Sequence, residues 1–316
     1  MMPSSLTLDI QGHRGARGLL PENTLPAFAR ALSIGVTTLE LDCAITRDGV
    51  VVVSHDSTLN PDITRENGLW IARDDLAIAQ FTFDELQRFD VGRIDPACEY
   101  TTRFAQQQPI DGTHMPRLDD VFALARRAGN DTVRFNIETK ISPLHPARTV
   151  TPDTFAKALI FIIKKNGLQH RITIQSFDWR MLAAVQRDVP EIATAYLTAQ
   201  QPFMDNILAH EKHSPWNAGL HVSQFGGSVP KMIKAAANAT AGAIWSPCSN
   251  DINAASVEAA HMLGLKVVVW TVNTEADMRR MITLGVDGII SDYPDLLRRV
   301  AGERGCALPP ATPVSP

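Results

Sequence analysis

Hydrophobic and polar positions change period repeatedly along this chain, from the short apolar runs of strands to the three-and-four spacing of helices. "LTLDIQ" (6–11) reads as a first strand, and "NTLPAFARALSIG" (23–35) as a helix capped by Asn23 or Thr24 and stopped at Gly35. "TTLELDCAI" (37–45) is a second strand, and Asp48-Gly49 inside "RDGVVVVSHD" (47–56) folds the next stretch back on it as an antiparallel hairpin. Further strand patterns follow at 133–140, 172–177, 192–197, 242–247, 266–272 and 287–292. Amphipathic helical stretches at 117–129, 181–189, 254–264 and 275–285 lie between them.

Without the hairpin strand, eight strands remain, each followed by a helix or a connection long enough for one. Eight such units in 316 residues predict an α/β fold, a closed (β/α)8 TIM barrel. A doubly wound open sheet is the competing architecture, but no GxGxxG run follows the first strand. Residues 57–116 break the rhythm: the segment is polar, long for a plain loop, and predicts a small insertion after the hairpin of the second strand. The expected organisation is one catalytic barrel over 1–306 containing that insertion, followed by a Pro-rich tail, "ALPPATPVSP" (307–316), whose composition predicts disorder.

Composition narrows the class. Apolar residues make up 45% of the chain and charged residues 20%, as in an ordinary globular protein, and the formal net charge of −4 argues against a nucleic-acid partner. Cys43, Cys98, Cys248 and Cys306 are widely spaced, with no CxxC pair, and read as reduced thiols. The start "MMPSSLTLDI" has no basic segment leading into an apolar one, and "ALIFII" (158–163), the longest greasy block, is far too short to cross a bilayer. These features predict a cytoplasmic protein without a membrane span. Oligomeric state is not legible in the outward faces of barrel helices.

In a (β/α)8 barrel the chemistry sits at the C-terminal ends of the strands. There the first strand ends in His13-Arg14, the second carries Glu40 and Asp42 on one face, and the hairpin returns with His55-Asp56. The third strand carries Glu138 and Lys140, the fourth ends in Gln175-Ser176-Phe177, and the seventh in Trp270-Thr271-Val272-Asn273. Three carboxylates on neighbouring strands suit a hard divalent cation, Mg2+ or Ca2+, whereas zinc would call for Cys or His at ligand spacing. Arg14 and Lys140 beside that cation describe an anion site, and His13 with His55 supplies a base and an acid for phosphoester displacement. Each residue also has a structural reading. A single His can be a satisfied strand end, Glu40 and Asp42 can face solvent on an edge, Glu138 and Lys140 can be an exposed ion pair, and Phe177 and Trp270 can be core. The functional reading fails only if all of these hold at once.

The ordered set "HRG" (13–15), "PENT" (21–24), "ELD" (40–42), "VVSHD" (52–56), "IETK" (137–140), "QSF" (175–177), "WTVN" (270–273) and "DGIISDYP" (287–294) resembles the glycerophosphodiester phosphodiesterases over nearly the whole chain. The resemblance implies a metal-dependent hydrolase cleaving glycerophosphodiesters to sn-glycerol 3-phosphate and an alcohol, with a small-molecule substrate and one divalent cation. Position by position it implies His13 and His55 as catalytic, Glu40, Asp42 and Glu138 as metal ligands, Arg14 and Lys140 on phosphate, and Phe177 and Trp270 at the glycerol end. After "HD" this chain reads "STLNPDITRENGLW" where many relatives carry a pattern like "TLxRTTxGxG", a departure that bears on alcohol specificity. A sphingomyelinase D-like barrel shares the two-histidine, three-carboxylate plan but resembles this chain less, since no cysteine lies between Cys43 and Cys98. A metal-dependent lyase would leave the histidines and the Arg/Lys pair under-used. A non-catalytic phosphoester-binding barrel would have no need of both histidines with all three acids.

Overall fold

The structure, a computed structural model, describes residues 6–237 and 242–316. Eight parallel strands close on themselves: β1 (Asp9–Gly12), β2 (Thr38–Ile45), β4 (Arg134–Thr139), β5 (Ile172–Ser176), β6 (Ala193–Thr198), β7 (Ala243–Pro247), β8 (Lys266–Val269) and β9 (Gly288–Ser291), with β1 paired to both β2 and β9. The ninth strand, β3 (Val51–Val53), is the hairpin return, antiparallel to β2 with Cys43 opposite Val53. Eight helices alternate with the barrel strands: α1 (Leu25–Ile34), α2 (Leu118–Arg127), α3 (Pro152–Lys165), α4 (Trp179–Asp188), α5 (Val229–Ala236), α6 (Ala254–Met262), α7 (Glu275–Leu284) and α8 (Pro294–Glu303). The fold is the (β/α)8 barrel expected from the alternation of periods.

Local chemistry accounts for the element ends. Thr24 caps α1 by accepting from the Ala27 N–H, Pro26 occupies its first turn, and Gly35 ends it at φ 89, a conformation that favours glycine. Asn23, the other expected cap, turns instead to Asp42. Along β2, Leu39, Leu41 and Cys43 join the layer packed against the helices, while Thr38, Glu40 and Asp42 occupy the opposite face, also buried. The interior is polar below the mouth: Asn136 Nδ2 donates to Gln11 Oε1 (2.9 Å) and to Gln175 Oε1 (3.0 Å), and Gln175 Nε2 donates to Glu40 Oε1 (2.7 Å). The amides thus pair largely with one another, and only Asn136 Oδ1 among their atoms is buried without a hydrogen bond.

Residues 57–116 form a lobe rather than a loop. Arg65–Glu66 pairs with Leu69–Trp70 and with Phe89–Asp90, and Leu59, Ile78, Leu86, Phe89 and Met115 pack a small second core against Ala44 and Val52. The Pro-rich tail, 307–316, lies against the barrel. It has no regular structure, yet Thr312 N–H donates to Leu32 O (2.9 Å), Arg298 donates to Pro309 O (2.6 Å) and Val314 packs on the core. Proline removes backbone donors but does not prevent an extended chain from being held by its neighbours. Among the described residues no helix is long and apolar enough to cross a membrane.

Candidate active site

Strand β1 ends in a tight reversal that places two side chains at the mouth. Arg14 and Asn23 both have positive φ, 49 and 57, and Gly15 follows Arg14 at 85. The strain of a left-handed arginine, about 1–3 kcal/mol, is offset locally: Arg14 N–H donates to Glu40 Oε2 (2.9 Å), and Asn23 Nδ2 donates to Asp42 Oδ2 (2.8 Å). The turn is thereby tied directly to the two acids of β2.

His13 is 9% exposed, and its Nδ1 lies 2.6 Å from Asp292 Oδ1, which follows β9. Burial raises the Asp292 carboxyl, but the Arg17 and His13 charges outweigh that and hold it well below the usual carboxylate range. An ionised Asp292 accepts from Nδ1–H, so His13 presents Nε2, 3.8 Å from Glu40 Oε2. Burial, then the Arg17 charge, lowers the His13 pKa to about 4 against the pull of Asp292. His55 repeats the arrangement on the far side: its Nδ1 lies 2.9 Å from Asp56 Oδ1, and Asp56 is itself held by Asn60 Nδ2 at 3.1 Å. Burial raises Asp56, yet the His55 charge and hydrogen bond bring it far below its ordinary value. Both imidazoles therefore have one nitrogen fixed by a carboxylate and the other free to exchange a proton.

Between them, Glu40, Asp42 and Glu138 offer carboxylate oxygens that all lie within 4.8 Å of one another. Glu40 and Asp42 are effectively inaccessible, at 1% and 0%, so the edge-strand reading is excluded. Burial and the neighbouring Asp42 push the Glu40 carboxyl well up; burial also raises Asp42, but Lys140, His55 and Arg14 bring it far down. Lys140 Nζ reaches Glu138 Oε1 (2.7 Å) and Asp42 Oδ1 (3.3 Å), while Arg14 Nε lies 3.4 Å from Asp42 Oδ2 and its Nη1 donates to Glu22 Oε1 (2.6 Å). Asp42 Oδ1 is buried without a hydrogen bond. Three crowded carboxylates, one with a buried oxygen that makes no hydrogen bond and meets only the Lys140 charge, fit a hard divalent cation.

These groups line a cavity of about 870 Å3 at the barrel mouth. Its walls are divided. The charged side comes from β1, β2 and β4, and the opposite side carries Phe177, Leu197, Met204, Trp216 and Trp270 from the ends of β5 to β8. Phe177 and Trp270 meet edge to face at 5.5 Å, and Trp270 Nε1 donates to Ser246 O, so both are half-buried wall residues rather than core. The mouth thus collects His13, Arg14, Glu40, His55, Glu138, Lys140, Phe177 and Trp270, with Asp42 directly behind them.

Several residues at the mouth carry no role in the sequence reading. Arg17 donates from Nε and Nη2 to the two oxygens of Asp292 (2.7 and 3.0 Å), and Asn273 Nδ2 adds a third bond to that carboxylate (2.7 Å). Tyr100, from the insertion, donates to Glu22 and accepts from Arg17 Nη1 (3.1 Å). Asp292, Glu22 and Asn273 do lie inside the quoted motifs "DGIISDYP", "PENT" and "WTVN", which was the available signal. Tyr100 lies in none.

A family model described as the glycerophosphoryl diester phosphodiesterase family matches residues 13–296. A glycerophosphodiester phosphodiesterase of Caldanaerobacter subterraneus subsp. tengcongensis is 29% identical over 294 residues, 93% of this chain and 97% of that protein. Among solved structures, one from Silicibacter pomeroyi, provisionally assigned as a glycerophosphoryl diester phosphodiesterase, shares 32% identity with a TM-score of 0.83 and covers 96% of each chain. An Oleispira antarctica phosphodiesterase in complex with sn-glycerol-3-phosphate has the same fold at 20% identity, with a TM-score of 0.64 over 94% of this chain and 97% of its own.

Proposed function

Since this chain belongs to the glycerophosphoryl diester phosphodiesterase family, we propose that its mouth hydrolyses glycerophosphodiesters, releasing sn-glycerol 3-phosphate and the alcohol. The carrying observation is the pair of imidazoles, each fixed through Nδ1 by its own aspartate, on a cavity that also presents Arg14 and Lys140. Displacement at phosphorus forms one P–O bond and breaks the bond to the leaving alcohol. One imidazole Nε2 takes the proton of the attacking hydroxyl, and the other gives a proton to the departing oxygen. Arg14 and Lys140 bind the phosphoryl oxygens and hold their charge as it grows. Burial lowers the Lys140 pKa, but Glu138 and Asp42 raise it further, so the ammonium persists. Phe177 and Trp270 pack on the carbon skeleton of the glycerol. Water and the glycerol 2-hydroxyl, through a cyclic phosphate, are both consistent attacking groups.

Glu40, Asp42 and Glu138 are the residues that would hold a divalent cation. When bound, Mg2+ or Ca2+ supplies Lewis-acid stabilisation of a phosphoryl oxygen. The test is release of sn-glycerol 3-phosphate from glycerophosphocholine and glycerophosphoethanolamine, before and after EDTA, with either cation restored. Product that vanishes on chelation and returns with one cation is expected. No product under any condition refutes the reading.

A further inference from the structure

Of the insertion's side chains at the mouth, Tyr100 is hydrogen-bonded to both Glu22 and Arg17. Tyr100, in the short helical turn Tyr100–Arg103, packs its ring on Phe104 (5.0 Å between centroids), and Phe104 in turn lies 4.6 Å under the Arg17 guanidinium. Its hydroxyl sits between two charged groups, donating to one oxygen of Glu22 and accepting from Arg17 Nη1. The other Glu22 oxygen holds Arg14, and the remaining Arg17 nitrogens hold Asp292, which orients His13. A continuous chain of hydrogen bonds therefore runs from the anion-binding Arg14 through Glu22, Tyr100, Arg17 and Asp292 to His13.

We infer that Tyr100 is a positioning residue for the hydrolysis, a neutral spacer from the insertion that keeps each arginine on its own carboxylate. The physical argument is competition. Arg14 and Arg17 repel one another, and Glu22 attracts both. The phenolic hydroxyl accepts from Arg17 and donates to Glu22 at once, which neither an arginine nor an ionised carboxylate can do. Without it, the charge of Glu22, which already attracts Arg17, draws the freed Arg17 nitrogen toward itself. Moving Arg17 there draws it off Asp292 and crowds Arg14, which disturbs the base–acid geometry and the phosphate site together. Mere attachment of the lobe does not require Tyr100, because Gln107 Nε2 donates to Arg17 O (2.7 Å) and Gln108 N–H to Leu19 O (2.9 Å) on the same segment.

The inference rests on the proposed hydrolysis, and two readouts separate the two. Tyr100→Phe removes only the hydroxyl and leaves the ring packing. Its kcat on glycerophosphocholine should fall about tenfold or more, the scale of a hydrogen bond to a charged partner, and inorganic phosphate, titrated calorimetrically, should bind several-fold more weakly. In a Glu22→Gln background the same substitution should have little further effect, since the link is already cut. Phe89→Leu, which loosens the lobe's own core away from this link, should lower thermal stability and leave kcat and KM as they are. Unchanged kcat and phosphate affinity in Tyr100→Phe, or penalties that multiply fully with Glu22→Gln, would overturn the inference. Should Tyr100→Phe fail to fold, Glu22→Gln alone reads the link from its other side, and unchanged phosphate affinity there is equally fatal. If wild-type protein turns over no glycerophosphodiester, the proposed function falls while the phosphate titration still decides on Tyr100.

Discussion

At the scale of single residues, the mouth is built from pairs in which one partner was legible in the sequence and the other was not. His13, His55, Arg14, Lys140 and the three acids stand out because charged residues at the ends of apolar strands are costly unless something is done with them. Asp292, Arg17 and Glu22 are as deeply buried and just as charged, but their meaning is a contact: Asp292 acquires a role only once β9 lies beside β1 and its carboxylate meets the imidazole 279 positions earlier. That dependence gives the first predictions. Removing either imidazole, as His13→Ala or His55→Ala, should cut kcat by roughly 10²–10⁴, read in the glycerol 3-phosphate assay on protein whose circular dichroism matches wild type. Asp292→Asn keeps the shape yet offers the ring an amide N–H as well as an oxygen, so His13 can settle in the wrong tautomer. Its kcat should fall about 100-fold or more with a smaller change in KM. A kcat within twofold of wild type would remove Asp292 from the orientation of His13.

At the scale of elements, the eight strands were readable because each is an apolar run bounded by turn residues, and the hairpin because Asp48-Gly49 leaves little else to do. The β1–α1 turn was harder, since its backbone is held by tertiary contacts. Gly15 shows how tightly: a Cβ there would stand 2.7 Å from the Ala27 carbonyl carbon, at a φ of 85. Gly15→Ala should cost about 1–3 kcal/mol of stability and displace Arg14, lowering kcat/KM as well. A variant with wild-type Tm and activity would show the turn to be more tolerant than this packing allows. The insertion has a pH limit of its own. Burial raises the Asp90 carboxyl, but the N–H groups of Gly112 and Gly92 and the charge of Arg65 outweigh it, leaving the pKa below normal. A carboxylate depressed in the folded lobe stabilises it fully above the unfolded value of about 3.9. That contribution is lost as pH falls through the folded value. Hydrogen exchange should therefore rise in 57–116 below about pH 4 before it rises in the barrel strands, and uniform loss of protection would refute that order.

At the scale of the whole molecule, the barrel separates chemistry from closure. The proposed catalytic groups gather where the strands end, whereas at the opposite end helices deliver the chain into the next strand. The Pro-rich tail is anchored at that opposite end and runs on to Pro316, which lines a cleft with Leu25, Pro26 and Asp120 at the starts of α1 and α2. Its contacts are with Leu32 and Gly35 at the close of α1 and with Asn130 after α2: Thr312 N–H donates to Leu32 O, Asn130 Nδ2 donates to Thr312 Oγ1 (3.0 Å), and Arg298 Nη1 donates to both Gly35 O (2.7 Å) and Pro309 O. Composition alone could not reveal this, because proline-rich chain that packs and proline-rich chain that does not look identical until the surface beneath is known. Four hydrogen bonds and the partial burial of Val314 are what truncation after Ala307 removes. At about 1 kcal/mol for each bond and a comparable amount for the valine, the loss should lower Tm by about 7 °C. The mouth, fixed by β1, β2, β4 and β9, touches none of the deleted residues, so kcat and KM at 25 °C should match the full chain. A Tm that did not move would mean the tail only rests on the barrel. A changed kcat would mean that the two ends of the barrel are mechanically coupled, and that the polar interior layer of Gln11, Asn136 and Gln175 transmits strain to Glu40.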